Sequence, residues 1–133
     1  MRLWAHEVLA RADLDLERLA VALPTVDPAT IAIRQASRWF RLFWAKGITA
    51  VALPWGIYVH PDRLNAPVAE VGRLVVHELT HIDQWRRLGL IGWSRAYLGD
   101  YLRGRRAHLG HWAAYRAIAL EQEARDVAAR LGG

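Results

Sequence analysis

The chain has no cysteine, and Lys46 is its single lysine among 133 residues. Without cysteine there are no disulfides and no thiolate ligands, so a bound transition metal must be held by nitrogen and oxygen. Long apolar runs are missing as well. The longest uncharged apolar stretch, Gly47 to Val59, is too short to span a bilayer and is interrupted by Pro54 and Gly56. At the N-terminus, Arg2, His6 and Glu7 bring charge too early for the apolar core of a signal peptide. The expectation is a cytoplasmic protein without a membrane span.

What is present describes a packed domain. The 53% hydrophobic content and mean hydropathy of +0.02 suit a globular chain, and the length suits one domain covering residues 1–133. The net charge is +5 and the pI about 10.4. Arginine carries this excess, in three separated groups: Arg34, Arg38 and Arg41; Arg86 and Arg87; Arg103, Arg105 and Arg106. No nucleic-acid motif accompanies them, so a solvated arginine-rich surface is the favoured reading over a nucleic-acid interface. Seven tryptophans are expected mainly in the core, with some on a groove wall or partner surface.

Apolar spacing organises the chain. It predicts a helix from His6 to Leu23 closed by Pro24, a strand over Thr30–Ile33, and a short amphipathic helix from Ser37 to Ala45 ending at Gly47. Ile48–Leu53 and Ile57–His60 read as strands joined around Pro54, Trp55 and Gly56. Pro61 and Pro67 bracket a loop. Ala66–Leu88 then reads as a helix stopped by Gly89, and a second runs from Gly92 to about Arg103. An irregular basic stretch between Gly104 and Gly110 leads to a last helix over His111–Leu131. The class is α+β: a small sheet of about three strands on a central helix, followed by C-terminal helices.

The central helix carries His77-Glu78-Leu79-Thr80-His81. Residues four apart on a helix are offset by only about 40°, so both imidazoles can reach one zinc ion at about 2.0–2.1 Å. Glu78 projects beside them, where a carboxylate can accept a proton from an activated water. A catalytic zinc needs a third protein ligand, for which the candidates are His60, His108, His111, Glu121, Glu123 and Asp126. Glu121 and Glu123 differ by about 200° around a helix, so only one of them can face the metal.

Residues 76–85, together with Tyr115 to Ala124 and its Glu121-Gln122-Glu123-Ala124 segment, resemble the gluzincins. They are most similar to small bacterial H-E-x-x-H proteins with a downstream E-x-E-A motif, the minigluzincins and ImmA/IrrE-like metallopeptidases. The resemblance implies a zincin-like fold and a zinc metallopeptidase acting on a peptide or protein substrate. It implies His77, His81 and Glu123 as ligands, with Glu121 the alternative, and Glu78 as general base. Tyr115 is the matching candidate for stabilising the oxyanion; the alternative is a buried aromatic with a satisfied hydroxyl. Where larger gluzincins carry an aspartate four residues after the ligand, this chain has Val127, which leaves Asp126 as a candidate to orient a histidine. In the zincins an extended peptide pairs with a sheet edge, here Ile48–Leu53 or Ile57–His60. The competing reading is a zinc-binding regulatory or interaction module without turnover.

Overall fold

The N-terminal apolar periodicity is divided between two helices. In the computed structural model, which describes residues 3–42, 44 and 48–131, α1 (Ala5–Arg11) ends before Asp13, whose φ is +60°. Asp15 then starts α2 (Leu16–Ala22) by accepting hydrogen bonds from the backbone N–H groups of Glu17 and Arg18. Two aspartates with local bonds thus override a continuous apolar stripe. Ahead of α1, Leu3–Trp4 form a fourth strand, β1, where about three strands were expected. Two residues have no readable periodicity.

The sheet is mixed, with strand order β1-β2-β4-β3, where β2 is Ala32–Gln35, β3 Ala50–Leu53 and β4 Gly56–Val59. β1 and β2 are antiparallel, β2 and β4 parallel, and β3 and β4 form the expected hairpin. Residues 28–30 form a 3-10 turn, which displaces β2 by two residues from its predicted start. Ser37 caps the short helix α3 (Arg38–Arg41). Phe43, Ala45 and Gly47, which the predicted helix and its stop include, lie outside the described residues. The bracketed loop contains a single helical turn, α4 (Pro61–Leu64), capped by the His60 ring.

One sheet face and α1 enclose the core with the long helix α5 (Val68–Arg106). Leu9, Ile33, Ile57, Val59, Val75, Leu79 and Ile82 are its centre, each at most 2% exposed. Gly89 breaks α5 into arms covering 68–88 and 90–106, at φ 74° and ψ 168°, a conformation essentially reserved for glycine. The second arm continues past the expected end because Gly104 lies against Ala114: an added Cβ would meet it at 3.0 Å. The last predicted helix is likewise two: α6 (His111–Arg116) and α7 (Ala119–Leu131), separated at Ala117 and Ile118. No helix among the described residues is long and apolar enough to cross a membrane.

The two arms of α5 give a paired test. Gly89→Ala meets no neighbouring atom, yet forces an L-residue into a glycine conformation and is expected to cost about 1–3 kcal/mol. Gly92→Ala is helical with an ordinary 3.5 Å contact to Leu88 and is expected to be neutral or to stabilise by up to about 1 kcal/mol. Urea denaturation of both proteins measures the difference. Equal effects would show that the break is not held by glycine.

Candidate metal centre

The first arm of α5 presents His77 and His81 on one face, and α7 crosses it with Glu121. The Glu121 carboxylate lies between the imidazoles: Oε2 is 3.1 Å from His77 Nε2, and Oε1 is 3.0 Å from His81 Nε2. One donor atom from each residue lies within 4.8 Å of the other two. Two imidazole nitrogens and one carboxylate oxygen converging from packed helices suit zinc, leaving a position for water. The group therefore fits the ion anticipated from the sequence.

The third member is Glu121 and not Glu123. On α7, Glu121 shares the buried face of Ala124, Val127 and Ala128, at spacings of three and four residues. Glu123 lies on another side, where its carboxylate accepts from Gln84 Nε2 at 2.9 Å and pairs with Arg87 at 2.8 Å. Asp126 is exposed and does not orient a histidine. Of the other candidates, His60 meets Arg41 and caps α4, and His111 bonds the Tyr101 hydroxyl.

Gln84, one helical turn after His81, orients its ring. It is completely buried, and its amide has four partners. Nε2 donates to the Leu120 carbonyl and to Glu123, both at 2.9 Å. Oε1 faces Trp93 Nε1 at 3.3 Å and His81 Nδ1 at 2.8 Å. Indole N–H only donates and a carbonyl only accepts, so the amide orientation is fixed by chemistry. His81 Nδ1 must then carry its proton, and Nε2 is the atom directed at the carboxylate. Its neighbour Asp83, also buried, accepts from Thr25 and Arg87 and is structural.

Two tyrosines complete the group. Tyr97, on the second arm, donates to Glu121 Oε1 at 3.0 Å. Tyr115 interacts with Glu121 and Tyr97; it belongs to α6, and so not to the same helix as Glu121. Burial, and then the negative charge of Glu121, push both phenols upward, so they remain proton donors at neutral pH.

The carboxylates titrate in opposite directions. Burial raises Glu78 above the ordinary range, with the histidines opposing and Glu121 adding to the rise. Burial would also raise Glu121, but hydrogen bonds from His77 and His81 hold it well below that range. Burial would lower His81, yet its hydrogen bond to Glu121 and the charge of Glu78 raise it to about 9.

Glu78 stands where two cavities meet. One, of about 740 Å³, lies beside His77; the other, of about 540 Å³, lies beside His81 and Glu121. Glu78, Tyr115 and Ala50 line both. Strand β3 forms the opposite rim and is an edge strand, as anticipated for Ile48–Leu53; β4 is internal and supplies no edge. Since His60 N–H donates to the Thr49 carbonyl, ladder alternation turns the N–H and C=O groups of Ala50 and Ala52 away from β4. Trp85 Nε1 donates to the Ala52 carbonyl at 3.1 Å, holding the rim to α5. Trp85, Trp93 and Tyr97 stack in succession behind the group, at 4.1 and 4.6 Å.

No protein-family model matches the chain, and no curated protein or solved structure matches it.

Two outcomes follow from this geometry. Gln84→Leu removes the acceptor that fixes the His81 ring and is expected to weaken zinc binding about 10–100-fold, measured by competition with a chromogenic chelator. In protein kept in chelator, the raised His81 stabilises fully below its unfolded value of 6.5, and this contribution is lost as pH rises through about 9. The lowered Glu121 contributes fully above 4.5 and loses its contribution as pH falls below it. Thermal unfolding in chelator should therefore show greatest stability between these limits, with a decline towards pH 9 that Glu121→Gln flattens.

Proposed function

We propose that this protein is a zinc-dependent peptidase of gluzincin type, with a zincin-like fold, that hydrolyses peptide bonds in a peptide or protein substrate. The observation that carries the reading is the convergence of His77, His81 and Glu121, with Glu78 at the junction of two cavities under a free strand edge. Zinc held by those three residues would polarise the scissile carbonyl and lower the pKa of water.

The chain's own residues divide the remaining work. Glu78, whose burial raises its proton affinity, accepts a proton from the attacking water as the water oxygen joins the carbonyl carbon. Tyr115, kept protonated and lining both cavities, donates a hydrogen bond to the developing oxyanion. Glu78 then passes its proton to the amide nitrogen as the C–N bond breaks, leaving a carboxylic acid and an amine. Gln84 and Tyr97 keep His81 and Glu121 in position throughout. A carboxylate placed between the two histidines at the junction of the cavities is what separates this reading from a silent zinc module, for which a carboxylate at position 78 has no purpose.

The test combines metal analysis with turnover. Wild-type protein is expected to bind about one zinc per chain. Glu121→Ala should lose it and Glu123→Ala should retain it. Glu78→Gln should keep the metal while peptide cleavage falls by at least about 10²-fold. Full metal content with unchanged cleavage in Glu78→Gln would sink the mechanism. Zinc binding with no cleavage by wild-type protein of any peptide in a broad library would favour the regulatory module.

A further inference from the structure

The two cavities beside Glu78 have opposite chemistry. The cavity beside His77 carries Arg63, Arg73 and Arg125 against the single carboxylate Glu70, apart from the catalytic group itself. Arg125 donates to the Arg116 carbonyl. Among the described residues, neither Arg63 nor Arg73 forms a salt bridge. The Arg63 Nε is buried without a hydrogen-bond partner. Guanidinium groups left unpaired in a concave site favour a carboxylate, which can accept two parallel N–H bonds from one of them.

Among the described residues, no arginine or lysine lines the cavity beside His81. Phe40, Trp44, Trp93 and Tyr97 line it together with β3, and its only acidic groups are Glu78 and Glu121. A large apolar or aromatic side chain can bury itself there, whereas an acidic one would meet two carboxylates.

Strand β3 sets the order in which these cavities are met. Ile48 and Ala50 line both cavities, Thr49 lines the arginine one, and Val51 and Ala52 line the aromatic one, so from Thr49 to Ala52 the chain runs from basic to aromatic. The Ala52 carbonyl is occupied by Trp85, while among the described residues the outward N–H and C=O of Ala50 have no hydrogen-bond partner. An extended segment that pairs with Ala50 in the commoner antiparallel sense runs the other way, from aromatic to basic.

The geometry points to an acidic substrate segment: a strand antiparallel to β3, with a large apolar or aromatic side chain before the scissile bond and an aspartate or glutamate shortly after it. This rests on the peptidase reading above. The aromatic side chain fills the Trp93 cavity, and the carboxylate reaches Arg73 and Arg63. A basic residue in the latter position would face three like charges.

The test uses matched quenched-fluorescence peptides with phenylalanine before the bond and glutamate, glutamine or lysine at each of the next three positions, given to the zinc-loaded full chain. At one or more of those positions the glutamate peptide should be cleaved with kcat/KM about tenfold above glutamine, with lysine lowest. The preference should shrink in about 0.5 M salt. Arg73→Glu, an exposed substitution, should reverse the glutamate–lysine order while zinc content is retained. Binding of the same peptides to zinc-loaded Glu78→Gln, read by fluorescence anisotropy, separates recognition from catalysis. Cleavage without the acidic preference, or an order that Arg73→Glu leaves intact, overturns the proposal and leaves the peptidase standing. Absence of all cleavage with the acidic order preserved in binding removes the peptidase and keeps the recognition. Equal binding of all three peptides, or no binding of any, overturns the recognition outright.

Discussion

The arrangement around the candidate centre depends on one buried amide, that of Gln84. Both its N–H donors and its carbonyl are engaged, by partners on the second arm of α5, in α7 and on its own arm. A buried amide with a missing partner costs on the order of 1–3 kcal/mol, so these four contacts are mutually dependent. They fix which His81 nitrogen carries hydrogen and hold the backbone at Leu120 one residue before Glu121. The orientation of His81 and the placement of Glu121 are thus set by the same side chain.

Around this amide, two carboxylates share a small buried space and are driven to different states. Glu121 is held ionised by two histidines and by the hydroxyls of Tyr97 and Tyr115. Glu78 has comparable burial but lacks such a set of donors, so its proton affinity rises. A buried cluster of this kind is poor at stabilising a fold, because desolvation of its charges offsets their attraction. Its position at the meeting of two cavities gives it a functional explanation instead. The proton on His81, raised to about 9, marks the positive charge that Glu121 requires opposite it.

The histidine pair was legible because helical geometry turns a four-residue spacing into a common direction, and the apolar residues around it already indicated a helix. The E-x-E-A resemblance points to Glu123, with Glu121 as the alternative. The face that is actually buried contains Ala124, Val127 and Ala128, and counting back from it by threes and fours reaches Glu121. Alanines carry weak hydrophobic signal, although they are what lets α7 approach α5 closely. Gln84 was not legible, since a glutamine beside an aspartate and an arginine resembles a solvated face. Its role depends on Trp93 and Leu120, contributed by segments whose approach no local pattern encodes. The division of the first and last predicted helices has the same cause: local turns at Asp13 and Ala117 interrupt apolar stripes that tertiary packing still uses.

The geometry of the cleft follows from three positions on the first arm of α5 and the glycine that ends it. His81, Gln84 and Trp85 face the metal group, the α7 backbone and the β3 rim, while Gly89 redirects the chain after them. Without that reversal, Trp93 and Tyr97 would continue along the helix axis, away from Glu121. With it, Trp93 stacks on Trp85 and Tyr97 stacks on Trp93, so aromatic planes fill the space between the rim anchor and the carboxylate. The rim is therefore held at a set distance from the histidines by stacked rings and one indole hydrogen bond, which resist compression better than flexible side chains do. That rigidity would serve the proposed peptidase, which has to align a substrate strand with a reacting group and in which small displacements are costly. The reversal also puts Trp93 on a cavity wall, a place the sequence reading left open for some of the tryptophans.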